Sequence, residues 1–246
     1  MTGEQTLLRH DRDARLIHWA VAVAVIALVF SGLGLAGLMP DPVASLLGGH
    51  VWFGTTHRLF GFIFSAALVL VPLLAPTRTR NLLGDVSDFR RSDVRWPLAF
   101  LRFSLHPRRS RPPHHDGRFD PVQRVVFLGL GGSLLLLVGS GTVLYFAPPY
   151  ARLILAWAVR IHIFAAVVLI VCASIHIFAG SGLLPTHRGV ARSMFGNGRV
   201  RLGLARRLWP GWARRQAADS AFAPDPASEV GDSGQRASGP PPSEPR

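Results

Sequence analysis

The stretch RIHIFAAVVLIVCASIHIFAG, residues 160–180, decides the reading of the fold. It carries IHIF twice, around His162 and His176, with no charged residue between the two histidines. An α-helix turns ~100° and rises ~1.5 Å per residue. Fourteen residues bring the second histidine back to within ~40° of the same face, about 21 Å further along. A hydrocarbon core is ~30 Å thick, so one histidine falls near each side of a bilayer. Ionisable groups are costly inside a membrane helix and point there to function rather than to packing.

Three further apolar runs accompany this one. The expected spans are 16–38, 57–75, 122–147 and 153–184, in a chain of 246 residues that is 49% hydrophobic. Each is long enough to cross a bilayer as a helix, and helices satisfy their own backbone polar groups there. The runs lack the short alternation of a membrane β-barrel. The first is too long for the apolar core of a signal peptide and is expected to be a retained helix. The fold class expected is therefore an all-α membrane protein, a four-helix bundle spanning residues 1–215. Residues 216–246, rich in Pro, Ser and Ala, are expected to form a disordered tail.

All 27 basic residues are Arg. Three precede the first span, eleven lie from Arg78 to Arg124, and ten follow the fourth span. The other two connections hold only Arg152. Basic residues favour the cytoplasmic side, so both termini and the long central connection are expected there. A pI near 11.7 then reflects topology, and no nucleic-acid partner is expected. The connection before the second span holds Trp52 and Phe53, expected as interfacial anchors. WPLAFLRFSLHP, residues 96–107, has the pattern of an amphipathic segment on the membrane surface. Cys172 stands alone, which excludes an internal disulfide and an iron–sulfur cluster held by this chain by itself. It reads as a small packing residue.

His18 opens the first span at the inner side and His57 opens the second at the outer side. The fourth span runs inward, so depth pairs His57 with His162 and His18 with His176. Two imidazoles facing each other across a bundle can ligate one haem iron, and a doubly ligated iron is suited to electron transfer. A macrocycle between helices also needs small neighbours. SGLGLAG at 31–37, Gly61 one turn after His57, GLGG at 129–132 and GSG at 139–141 provide them. Arg15, Arg58 and Arg160 lie within a turn of the histidines, where they suit haem propionates. His10, His50, His106, His114, His115 and His187 fall in loops or flanks and are expected to be solvated, with His106 and His187 as weaker candidates for inner-face proton transfer. Two other classes compete with the electron carrier: a histidine-based metal-ion transporter, against which the lack of acidic residues in the spans speaks, and a non-catalytic membrane anchor.

RLIHW at the first span, HRLFG at the second, the doubled IHIF of the fourth, and GSGLLPTHRGVARSMFGNGRV with LWPGW beyond it resemble the di-haem cytochrome b subunit of formate dehydrogenases, the gamma type. That subunit stands in the wider group of cytochrome b561 and nickel–iron hydrogenase cytochrome b. The resemblance covers roughly residues 10–215. It implies two haem b groups, held by His57 with His162 on the outer side and by His18 with His176 on the inner side. It implies iron–sulfur and catalytic subunits on the outer side, quinone as acceptor near the inner haem, and a multi-pass location in the bacterial cytoplasmic (inner) membrane in contact with lipid. An oligomer is compatible with it. The chain would then be the electron-transfer subunit of a quinone-reducing oxidoreductase. The family's quinone motif, Y-N-x-G-Q-K, corresponds to FDPVQR at 119–124. Gln123 is retained and Arg124 keeps the charge. Asp120 replaces the asparagine, and Val122 replaces the glycine.

Overall fold

A computed structural model describes residues 5–106, 109–110 and 113–222. Asp11 starts the first long helix, α1 (Arg12–Leu35), by accepting a hydrogen bond from the Ala14 amide at 2.7 Å. Such a cap satisfies one of the orphan donors of the first turn. After α1 comes a short helix, α2 (Asp41–Leu46), and a turn at Gly48 and Gly49, whose φ of 91° and 65° suit glycine. The second long helix, α3 (Gly49–Leu74), thus starts at Gly49 rather than at His57. Nothing between the paired glycines and His57 breaks a helix, so His57 lies about two turns inside it.

The connection expected from 76 to 121 holds two helices, α4 (Pro76–Ser87) and α5 (Trp96–Leu105). The third long helix, α6 (Pro121–Phe146), begins with a capping box. Asp120 accepts from the Gln123 amide at 2.8 Å, and Gln123 accepts from the Asp120 amide at 3.4 Å. The fourth long helix, α7 (Arg152–Gly180), carries the doubled IHIF. The four long helices α1, α3, α6 and α7 have the length and composition of membrane spans. Much of their apolar surface faces outward, as at Ile26, Leu70, Leu135 and Phe164. Lipid, not a protein core, is the medium that makes such faces stable.

The bundle is built from two hairpins, α1 with α3 and α6 with α7. Small residues set their closeness. A Cβ added at Gly34 would fall 2.5 Å from the Phe53 ring, so the glycine is the floor on which that ring rests. Phe53 is 1% exposed and does not serve as the interfacial anchor expected; Trp52 beside it remains 39% exposed. The reason is the early start of α3, which turns Phe53 inward against α1. In the other hairpin Cys172 packs over Gly129, where a Cβ would meet the sulfur at 2.6 Å.

The N-terminal segment, the central connection and the C-terminal segment gather into one cap at one end of the bundle. There β1 (Thr6–Leu8) pairs antiparallel with β2 (Arg199–Arg201), with Leu7 opposite Val200. A one-turn helix, α8 (Arg192–Phe195), precedes β2, and α9 (Leu202–Leu208) and α10 (Pro210–Phe222) follow it. Val200, Ala205, Leu208, Trp209, Trp212 and Ala213 form the core of the cap. Arg9 is inserted into it, its guanidinium 4.1 Å from the Trp209 ring centre and 4.5 Å from that of Trp212. It donates to the Arg118 carbonyl at 2.7 Å, tying the N-terminus to the central connection. Burial, with Arg118 nearby, lowers the Arg9 pKa to about 9. Arg124 on α6 is also buried. It pairs with Asp93 at 3.1 Å, and donates to the carbonyls of Phe119 and Asp88. On α5, Trp96 and Phe103 face the cap while Leu98, Leu101 and Leu105 face outward.

The helix α10 extends to Phe222, beyond the expected boundary at 215. The remainder of the expected disordered tail, 223–246, lies outside the described residues.

The Gly34 contact leads to a stability prediction. Gly34→Ala is expected to lower stability by about 1–3 kcal/mol, the usual cost of forcing extra volume into a packed contact. Gly139→Ala, where a Cβ meets nothing within 4 Å, is the control and is expected to be neutral. Thermal unfolding in detergent, followed by circular dichroism, compares the two.

Candidate functional site

Four histidines come together in the bundle as two pairs. The His57 and His162 rings, from α3 and α7, have centres 6.1 Å apart. Those of His18 and His176, from α1 and α7, are 6.0 Å apart. Two imidazoles on opposite sides of one first-row metal ion, each nitrogen ~2 Å from it, place their ring centres roughly 6 Å apart. The observed separations fit one ion per pair. Among the described residues no group of three or more His, Cys, Asp or Glu could complete a metal site. Each pair therefore suits a metal that brings its remaining ligands with it, as iron in a porphyrin does.

The surroundings of the pairs are consistent with a flat group. Gly32 and Gly141 lie beside His57 and His162; a Cβ at either would come within 3.4 Å of the ring carbon Cε1. Gly61 is one turn after His57, where a Cβ would meet only Leu28, at 4.0 Å. His176 has the Phe127 ring at 5.7 Å, and His18 has Trp19 at 5.3 Å. The Nδ1 atom of His18 is buried with no hydrogen-bond partner among the described residues.

The three arginines occupy different settings. Arg15 donates to the Gly196 carbonyl, which fastens the start of α1 to the segment after α7. Trp19 adds to that joint, donating to the Met194 carbonyl at 3.3 Å and packing on Phe195 at 4.7 Å. Arg58 is exposed and lies over Gly54. Arg160 is exposed too, over the Trp157 ring at 5.2 Å.

Asp120 and Gln123 stand at the cap end of α6. Besides the capping box, Gln123 accepts from the Trp209 indole at 3.4 Å. Burial raises the Asp120 pKa from 3.8 to about 6, against the lowering pull of its bonds to the Gln123 and Val122 amides and of Arg124 and Arg9. Such a carboxyl exchanges a proton close to neutral pH. Two of the histidines expected to be solvated are buried. His115 bonds the Leu208 carbonyl at 2.8 Å, and burial lowers its pKa. His187 has its Nδ1 3.0 Å from the Thr186 hydroxyl and packs edge-on to Phe100 at 5.6 Å. Burial holds its pKa at about 4, so it is neutral at physiological pH. Both corrections have one cause: the central connection folds beneath the C-terminal segment. Residue spacing along the chain does not reveal that contact. Ser31 and Ser140, which touch the histidines directly, also escape a search confined to ionisable residues. The only trace of them in the sequence is the recurrence of Ser-Gly.

Four apolar spans, paired histidines and glycine clearings define a membrane cytochrome. The chain belongs to the prokaryotic cytochrome b561 family, whose model matches residues 9–197. Among its relatives is the formate dehydrogenase cytochrome b556(fdo) subunit of Escherichia coli K12. It is 25% identical over 217 residues, covering 87% of this chain and 95% of the relative. The formate dehydrogenase cytochrome b556 subunit of Haemophilus influenzae is 21% identical over 224 residues, covering 88% and 86% respectively. The chain is a multi-pass membrane protein of a family that binds haem b.

The Asp120 carboxyl has a consequence for stability. Below pH 3.8 it is neutral both folded and unfolded. As pH rises through about 6 the unfolded chain gives up the proton more readily, and folding loses free energy. Relative to Asp120→Asn, which keeps an N-cap side chain, the wild type is expected to lose stability across that window and to change little above it. Thermal midpoints of the two proteins at pH steps from 4 to 8 measure the difference.

Proposed function

We propose that this chain is the haem-carrying membrane subunit of a formate dehydrogenase-like complex, conducting electrons from an external partner to quinone. The observation that carries the proposal is the two histidine pairs, each at the separation of imidazoles sharing one ion, one far from the cap and one beside it. The names of the relatives support the choice of complex. The arginine distribution supports a cytoplasmic cap, with the His57–His162 pair on the outer side.

Haem b, when bound, supplies reversible one-electron transfer. His57 and His162 would hold the outer group through their ring nitrogens, and His18 and His176 the inner one. Arg58 and Arg160 lie at the outer rim and Arg15 at the inner rim, where each can pair with a propionate. An iron–sulfur subunit docks at the outer end, with its catalytic subunit beyond. At the inner end the Phe119–Arg124 stretch borders the quinone position. Asp120, with a pKa of about 6, takes a proton from the cytoplasm and passes it to the reduced quinone. With the proton drawn from the cytoplasm and the electron supplied from the outer side, the reaction would contribute to the membrane potential. A transporter would use the same histidines, yet no third protein ligand stands beside either pair among the described residues.

Reduced-minus-oxidised spectra of the purified chain, with a haem-to-protein ratio, test the reading. Two b-type haems per chain are expected. His57→Ala and His162→Ala are each expected to remove one of them, and His18→Ala and His176→Ala the other. Full haem content in all four variants would overturn the assignment. A folded wild type with zinc or copper in place of haem would favour transport.

The proton role is tested separately. In nanodiscs with the natural partner, quinone reduction by Asp120→Asn is expected to slow at least tenfold, with both haems still reduced by the donor. Removing a general acid typically costs about 10²–10⁴-fold, so tenfold is the least loss the role requires.

A further inference from the structure

Ser31 on α1 is fully buried and Ser140 on α6 is 8% exposed. Each hydroxyl donates to a carbonyl of its own helix, Ser31 to Ala27 at 2.7 Å and Ser140 to Leu136 at 2.5 Å. Each oxygen also stands against a histidine Nδ1: Ser31 at 3.1 Å from His57, and Ser140 at 2.9 Å from His162. A hydroxyl has one proton. It is committed to the helix carbonyl, so the oxygen can only accept from the imidazole. Both rings must then carry their proton on Nδ1. Each Nε2 is left with a lone pair, as an iron ligand requires.

The two arrangements are copies of one device. Ser31 is followed by Gly32 and Ser140 by Gly141, and a Cβ at either glycine would come within 3.4 Å of the ring it borders. The serine holds the ring nitrogen, and the glycine lets the ring lie against the helix. One copy joins α1 to α3 and the other joins α6 to α7. The second histidine pair has no counterpart. Among the described residues no hydroxyl bonds His18 or His176, and the His18 Nδ1 has no hydrogen-bond partner.

We infer that Ser31 and Ser140 are positioning residues for the haem between His57 and His162, which they hold at a lower reduction potential than the haem between His18 and His176. This rests on the haem reading above and gives the direction of flow proposed there a physical basis. A hydrogen bond accepted from Nδ1–H makes the imidazole a stronger electron donor, which favours ferric over ferrous iron. Two such bonds act on the outer iron and none of this kind on the inner. Electrons run from lower to higher potential, hence from the outer pair to the inner. That is the uphill direction against a membrane potential negative inside, so a difference in haem potential offsets part of the opposition.

The test uses the full-length chain in detergent as wild type, Ser31→Ala, Ser140→Ala and the double variant. Haem content, optical redox titration and low-temperature electron paramagnetic resonance are read on each. The more negative of the two midpoint potentials is expected to shift upward in either single variant and further in the double. The low-spin ferric signal of that haem should change with it, while the other haem keeps its potential and signal. Ser133→Ala is the control. It removes an equally buried serine of α6 whose hydroxyl bonds only the Leu130 carbonyl, at 2.9 Å, and no shift is expected. Should an alanine variant lose the outer haem, Ser31→Thr or Ser140→Thr, which keeps a hydroxyl, is expected to regain it; failure to regain it overturns the inference. Unchanged potentials in two-haem alanine variants, or equal shifts of both haems, also overturn it while leaving the haem assignment intact. A wild type with fewer than two haems overturns that assignment, and the inference falls with it.

Discussion

An imidazole nitrogen left unpartnered inside a membrane span is costly, because neither water nor lipid supplies a partner at that depth. This demand shapes the bundle. In the half far from the cap the Nδ1 atoms are answered by Ser31 and Ser140, and the His57 and His162 rings stand 6.1 Å apart, centre to centre. Meeting it takes close helices, and close helices take small residues at the contacts. Gly34 under Phe53, Gly129 under Cys172, and Gly32 and Gly141 beside the rings are all required by one packing problem. The rest of each span is left free to be apolar and outward-facing, as its sequence shows.

The cap solves a different problem with charged residues. Arg9 and Arg124 are buried at the membrane boundary, each with partners suited to it. Arg9 takes two indole faces and a carbonyl; Arg124 takes a carboxylate and carbonyls. A guanidinium can be satisfied in these ways because its donors lie in a plane whose faces stack on aromatics. Together the two residues join chain segments distant in sequence, so the cap holds the beginning, middle and end of the described chain together. The Asp120 carboxyl lies within this cap, and its raised pKa follows from that burial.

Spans and histidines were legible because lipid imposes strict length and polarity, and because any ionisable residue there stands out. The start of α3 was not, since the continuous apolar run begins after His57 whereas the helix starts at the paired glycines before it. Phe53 was hidden by that same early start, and His115 and His187 were misjudged for another reason. Loops read as solvated carry buried residues once a distant segment folds over them, and sequence spacing holds no record of that contact. Ser31 and Ser140 were hidden because serine is common in membrane helices, where it usually bonds only its own backbone. Ser133 does just that, and only coordinates separate it from Ser140.

Both histidine pairs draw one member from α7, the last of these four spans to leave the ribosome, and one from the first hairpin. Chains are made from the N-terminus onward, so neither pair exists until the final span has been inserted and has turned its face toward α1 and α3. A truncated or misinserted chain offers only isolated histidines, each on its own helix. On the ligation proposed above, cofactor capture would be tied to completion of the four-helix bundle, and a loaded chain would certify its own synthesis.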